Sequence, residues 1–130
     1  MDIGRPVLRP FLMVVRVPVF VGHGEAIWIE TEKKLSPDEA RELLRSADGV
    51  VLMDDLAGKN QRGDENERSY PTSLDVLKYR DEVIVGRVRE DTSSESGLTL
   101  WCVSDNLRKG AALNVVQIAE ELIRRGLLKV

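Results

Sequence analysis

The apolar and polar positions fall into short regular stretches separated by polar or glycine-rich joints. Phe11 to Val21 is almost wholly apolar and rich in β-branched residues, which predicts a strand buried on both faces. Pro18 within it has no N–H for a ladder and implies an edge, a bulge or a local break. Gly22 and Gly24 flank His23 and predict a sharp turn there. Ala26 to Glu32 alternates, with Ala26, Trp28 and Glu30 opposite Ile27, Ile29 and Thr31, and predicts a second strand antiparallel to the first. The clearest local signal follows. Ser36-Pro37-Asp38-Glu39 is a capping box with proline at the first helical position and acids in the first turn. Ala40, Leu43, Leu44 and Ala47 supply that helix's apolar stripe, and Asp48-Gly49 ends it.

Val50 to Met53 predicts a short buried strand closed by Asp54-Asp55. Lys59 to Arg68 (KNQRGDENER) has no apolar residue and reads as a solvated loop, re-anchored by Tyr70-Pro71-Thr72. Glu82 to Arg89 predicts a strand with Val83, Val85 and Arg87 facing one way and Ile84, Gly86 and Val88 the other. After a turn over Ser93 to Gly97, Leu98 to Val103 predicts another strand, carrying Trp101 and Cys102. Ala112, Val115, Val116, Ala119, Leu122 and Ile123 follow helical spacing, so Asp105 to Arg125 reads as a helix at least from Gly110, stopped by Gly126. The order ββαβ–loop–ββα points to an α+β fold: one mixed or antiparallel sheet with helices on one face.

Length and composition narrow the class. A chain of 130 residues, 42% hydrophobic and 32% charged, suits one globular domain over residues 1–130. Its net charge of -3, without a basic stripe among aromatics, argues against nucleic-acid binding. No apolar run reaches the ~20 residues of a membrane span, and the opening ten residues are too polar for a signal peptide. One cysteine excludes an internal disulfide and suits a reducing compartment, so the cytoplasm is expected. One histidine and one cysteine do not make an ordinary zinc site, and no metal is expected.

Two side chains stand out chemically. Arg16 and His23 lie seven residues apart in RVPVFVGHGE. A guanidinium grips carboxylates, and imidazole is the side chain whose ordinary pKa lies nearest neutrality. Two polar residues alone do not define a reaction; without further context His23 reads as a loop residue and Arg16 as a sheet-edge cation or a partner of Glu25.

The stretches RVPVFVGHGE, ETEKKLSPDEARELL, GVVLMDD, YPTSLD, EVIVGRVRED and GLTLWCVSDNLRKGAALNVVQIAE, taken in order, resemble the C-terminal part of aspartate-semialdehyde dehydrogenase. The resemblance runs from about Val15 to the end. It implies a partial C-terminal domain of the glyceraldehyde-3-phosphate-dehydrogenase-like type, used for catalysis and dimerisation. It also implies NADP-dependent interconversion of aspartyl phosphate and aspartate semialdehyde, on the route to lysine, methionine and threonine. Carried over by motif, His23 is the acid/base, Arg16 binds the substrate carboxylate and Asn106 contacts the nicotinamide cofactor. The family usually has serine after the histidine; Gly24 stands there instead, which is expected to loosen that loop.

The family's nucleophilic cysteine and glycine-rich dinucleotide turn have no counterpart among these residues. Cys102 lies mid-strand and is expected to be buried, with a raised pKa and poor reactivity. The N-terminal NADP-binding domain is therefore expected on other polypeptide, NADP is not expected to bind this chain alone, and a homodimer is expected. The alternative is a non-catalytic paralogue serving as a homodimerising module. A third reading is a small-carboxylate binding domain using Arg16. Asn106 is also a favoured helix-entry residue, and Arg108 and Lys109 are assigned no site.

Overall fold

The computed structural model describes residues 17–54 and 70–128. Arg16, most of the first expected strand and the KNQRGDENER stretch lie outside them. The regular elements are β1 (His23–Glu30), α1 (Pro37–Arg45), β2 (Val50–Leu52), β3 (Val83–Glu90), β4 (Gly97–Ser104) and α2 (Leu113–Arg124), with a 3-10 turn at Asp75–Leu77.

Val17 to Val21 is not a strand, which corrects the expectation for that part of Phe11–Val21. Pro18 is the physical reason. The chain folds around it, with the Val19 N–H donating to the Val17 carbonyl at 2.9 Å, a three-residue turn incompatible with a ladder. Val17, Val19 and Phe20 are exposed rather than buried. His23 thus begins a strand instead of following one.

The sheet is mixed, in the order β1-β4-β3-β2, with β2 parallel to β3 and the other pairs antiparallel. Consequently β1, β3 and β2 start at the same end, where β4 finishes. Between β1 and β2, the outer strands among the described residues, the chain carries α1. The helix starts as the capping box requires: Ser36 Oγ accepts the Glu39 N–H at 3.3 Å, and the Glu39 carboxylate accepts the Ser36 N–H at 2.9 Å. Ala40 of α1 packs with Leu52, Val85, Val88, Leu98 and Cys102 to form the core on that face. A second cluster on the other face joins Val76 of the 3-10 turn to Ile84 and Val103.

Val88 departs from the expected alternation, for it shares the face of Val85. A bulge between Gly86 and Arg89 shifts the register, and one inserted residue reverses every side chain beyond it. Arg87 takes φ 56°, in the left-handed region. Asp54 enforces this from the end of β2: its carboxylate accepts the Arg87 N–H at 2.6 Å and the Val88 N–H at 3.0 Å. Buried Arg41 of α1 holds the same carboxylate through Nε at 2.8 Å and donates to the Val88 carbonyl at 2.6 Å.

After β4 the chain runs across the end of the sheet. Arg108 pairs with Asp81, just before β3. Lys109 to Ala111 is non-helical, Gly110 has φ 75°, and α2 starts at Leu113, later than its apolar spacing suggested. Gly126, at φ 69°, stops α2 as expected. α1 lies against the sheet, whereas α2 buries none of its residues and exposes Val115, Val116, Ile118 and Ile123.

Candidate functional site at the end of the sheet

The antiparallel register pairs His23, the first residue of β1, with Ser104, the last of β4, and Glu25 with Cys102. Paired residues face the same side and strand side chains alternate, so these four residues occupy one face at one end of the sheet. The imidazole Nε2 lies 3.2 Å from Ser104 Oγ and 3.5 Å from Glu25 Oε1. Ser104 is buried, while the histidine side chain remains 40% exposed and open to a reactant.

Asn106 follows two residues after Ser104, and its Oδ1 accepts the Gly22 N–H at 3.0 Å. Gly22 needs its glycine: φ is 86°, and an added Cβ would crowd Val76 and the Ser104 carbonyl. The turn entering β1 and the turn leaving β4 are therefore tied together, with His23 between them. The carbonyl end of Asn106 is engaged in this bond, so the NH2 end is what it can offer to a ligand acceptor.

Gly24 does not loosen the histidine's surroundings; the expectation fails on packing. Gly24 lies within β1 opposite Val103, and the Trp101 ring fills the space of its missing side chain, 2.3 Å from where a Cβ would sit. Trp101 is itself fixed by Nε1 donating to the Pro71 carbonyl at 3.1 Å.

Asp105, 1% exposed, was not singled out from sequence. Its Oδ1 accepts the Leu107 N–H at 2.9 Å, its Oδ2 lies 3.4 Å from Arg80, and its backbone carbonyl accepts from Arg108 and Lys109. It shapes the exit from β4. The signal available was an Asp at a strand-to-helix junction, a common turn former.

Cys102 is buried as expected, and its thiol is pushed from an ordinary 9.0 up to about 11, mainly by desolvation and further by the negative charge of Glu25. At neutral pH it is a protonated core residue, not a nucleophile. Nor do the described residues fit the NADP that the resemblance implies. The N-terminus of α1 is closed by Ser36, and α2 enters through the non-helical Lys109–Ala111 with no side-chain cap. Neither forms a glycine-rich strand-to-helix cradle for a pyrophosphate. What this end of the sheet can do is take up or deliver a proton through a solvent-accessible imidazole.

An α+β domain with a mixed four-stranded sheet and a half-exposed histidine at one end is the class so defined. The family model for the semialdehyde dehydrogenase dimerisation domain matches residues 4–109, and the chain belongs to that family. The match begins upstream of the Val15 start read from sequence and ends before α2. The chain is 51% identical over 114 residues to an aspartate-semialdehyde dehydrogenase of Aquifex aeolicus, covering 88% of this chain and 31% of that protein. A Legionella pneumophila aspartate-semialdehyde dehydrogenase is 50% identical over 115 residues, covering 88% and 30% respectively. Among solved structures, Vibrio cholerae aspartate semialdehyde dehydrogenase II complexed with ASA superposes with a TM-score of 0.66 at 42% identity, covering 84% of this chain and 29% of that one. The chain thus spans about a third of the length of the curated relatives it matches.

Proposed function

We propose that this chain is the dimerisation portion of an aspartate-semialdehyde dehydrogenase, one domain over residues 1–130, inactive without the NADP-binding portion of such an enzyme. The observation that carries the reading is the half-exposed His23 fixed at the sheet's end by the Gly22–Asn106 and Ser104 contacts, within a chain about half identical to two such enzymes. His23 acts as acid/base, Arg16 holds the substrate carboxylate, and Asn106 turns its amide NH2 towards the nicotinamide. The nucleophilic thiol comes from the complementing portion, because Cys102 is buried and protonated. Imidazole suits this chemistry, since forming a thiohemiacetal requires a base near neutral pH and its collapse an acid. A permanently charged planar fork orients a small carboxylate substrate. The assembly is a cytoplasmic homodimer; among the described residues no helix is long and apolar enough to cross a membrane.

Co-expression with a cysteine-bearing nucleotide-domain chain tests the reading. NADP-dependent oxidation of aspartate semialdehyde is expected to appear, to vanish with His23→Ala, and to show a raised KM with Arg16→Lys. Absence of activity together with a stable homodimer supports a non-catalytic dimerising module instead. The exposed apolar face of α2 is the observation behind that second reading, since a dimerising module needs such a face and no chemistry.

A further inference from the structure

We infer that Glu25 and Ser104 are positioning residues that select one tautomer of His23, with the proton on Nε2, so that Nδ1 is the nitrogen that exchanges protons with a reactant. This rests on the acid/base role proposed above for His23.

Both contacts fall on one ring nitrogen. Ser104 Oγ lies 3.2 Å from Nε2, and Glu25 Oε1 lies 3.5 Å from the same atom. A hydroxyl beside an imidazole is neutral about the tautomer, since it donates to a bare nitrogen or accepts from a protonated one. A carboxylate is not neutral: it accepts only, and it repels a lone pair. Glu25 therefore breaks the tie, and Ser104 becomes a second acceptor for the Nε2 proton.

The geometry is built in rather than adopted by chance. Glu25 sits two residues beyond His23 on the same strand face, and Ser104 is the direct cross-strand partner of His23, so the pleat places all three together. Cys102 completes the square as a protonated thiol and adds no charge to it. The other carboxylate nearby, Asp105, is turned to the Leu107 N–H and Arg80. Among the described residues Glu25 is the acid within ion-pair distance of the ring. With Nε2 held by the sheet, Nδ1 meets no hydrogen-bond partner among the described residues and remains for solvent or substrate. A ring nitrogen fixed by a protein acceptor leaves the other as the working base, the logic by which second contacts orient catalytic histidines.

His23 is the single histidine of the chain, so its ring nitrogens are read without assignment ambiguity. The experiment is imidazole 15N NMR of the 130-residue chain at about pH 9, where imidazole is neutral, beside an unstructured histidine peptide. The wild-type chain is expected to show an Nε2–H to Nδ1–H ratio at least about threefold above the peptide's, the shift that ~0.6 kcal/mol of attraction between an exposed carboxylate and a neutral N–H yields. Glu25→Ala with Ser104→Ala is expected to return the ratio to the peptide's while the dispersed amide spectrum is retained. A wild-type ratio equal to the peptide's, or an excess of Nδ1–H, overturns the inference, and this comparison stands even where the double variant fails to fold. A preserved ratio in the folded double variant overturns it as well. Loss of the complementation assay leaves these outcomes untouched, which separates failure of the inference from failure of the enzymatic reading.

Discussion

At the scale of single residues, two glycines of the sheet answer to different neighbours. A Cβ on Gly86 would sit 2.2 Å from the Met53 carbonyl oxygen and 2.5 Å from Pro71 Cδ, whereas one on Gly24 meets the edge of the Trp101 ring. Backbone yields less than a side chain. Gly86→Ala is expected to cost ~3 kcal/mol and Gly24→Ser ~1 kcal/mol, with Trp101→Phe relieving the second only; urea denaturation of the single and combined variants measures this. Cys102 makes a prediction about pH. Its folded thiol holds its proton up to about 11, whereas the unfolded chain releases it from about 9. Stability is therefore intact at neutral pH and falls as pH rises between those values, by on the order of 2 kcal/mol. Denaturation midpoints at stepwise alkaline pH are expected to show this fall, and Cys102→Ala to flatten it.

At the scale of elements, what could be read from sequence was whatever neighbouring residues decide. The capping box of α1 formed as Ser36 to Glu39 foretold, because its donors and acceptors are three residues apart. The β3 bulge was not legible: its cause is Asp54, 33 and 34 residues away from the N–H groups it accepts. For the same reason the alternation through Gly86 placed Val88 on the wrong face. The start of α2 was misjudged because apolar spacing is blind to the left-handed Gly110. Pro18 in the first expected strand carried the warning, and the turn around it followed. Of the candidate site, motif resemblance marked His23 and Asn106, but not Ser104, Glu25 or Asp105, whose roles come from cross-strand register and the exit from β4. Asp54→Ala is expected to destabilise the chain by ~2–3 kcal/mol, since it leaves the Arg41 Nε and two bulge N–H groups without their acceptor, while Arg41 keeps Asp38 and the Val88 carbonyl. Chemical denaturation checks it, and Asp54→Asn is expected to recover part of the loss by keeping an acceptor oxygen.

At the scale of the whole molecule, α2 is the unsettled surface. Its exposed Val115, Val116, Ile118 and Ile123 line an amphipathic helix that its own sheet does not cover. Large aliphatic side chains each gain ~1.5–3 kcal/mol when buried, which favours association. Sedimentation at micromolar concentration is expected to give a dimer, and Val115→Lys with Ile118→Lys to weaken it about tenfold or more; a compact monomer contradicts this. The strand order has a kinetic consequence as well. Among the described residues β1 finds its sheet neighbour only in β4, so His23 and Ser104 meet across 81 residues of chain. During synthesis the histidine leaves the ribosome long before its serine exists, and in refolding the closure of so wide a loop is entropically slow. The imidazole therefore gains its serine neighbour only once β1 and β4 have paired, and its lone resonance is expected to report completion of the sheet in a refolding experiment.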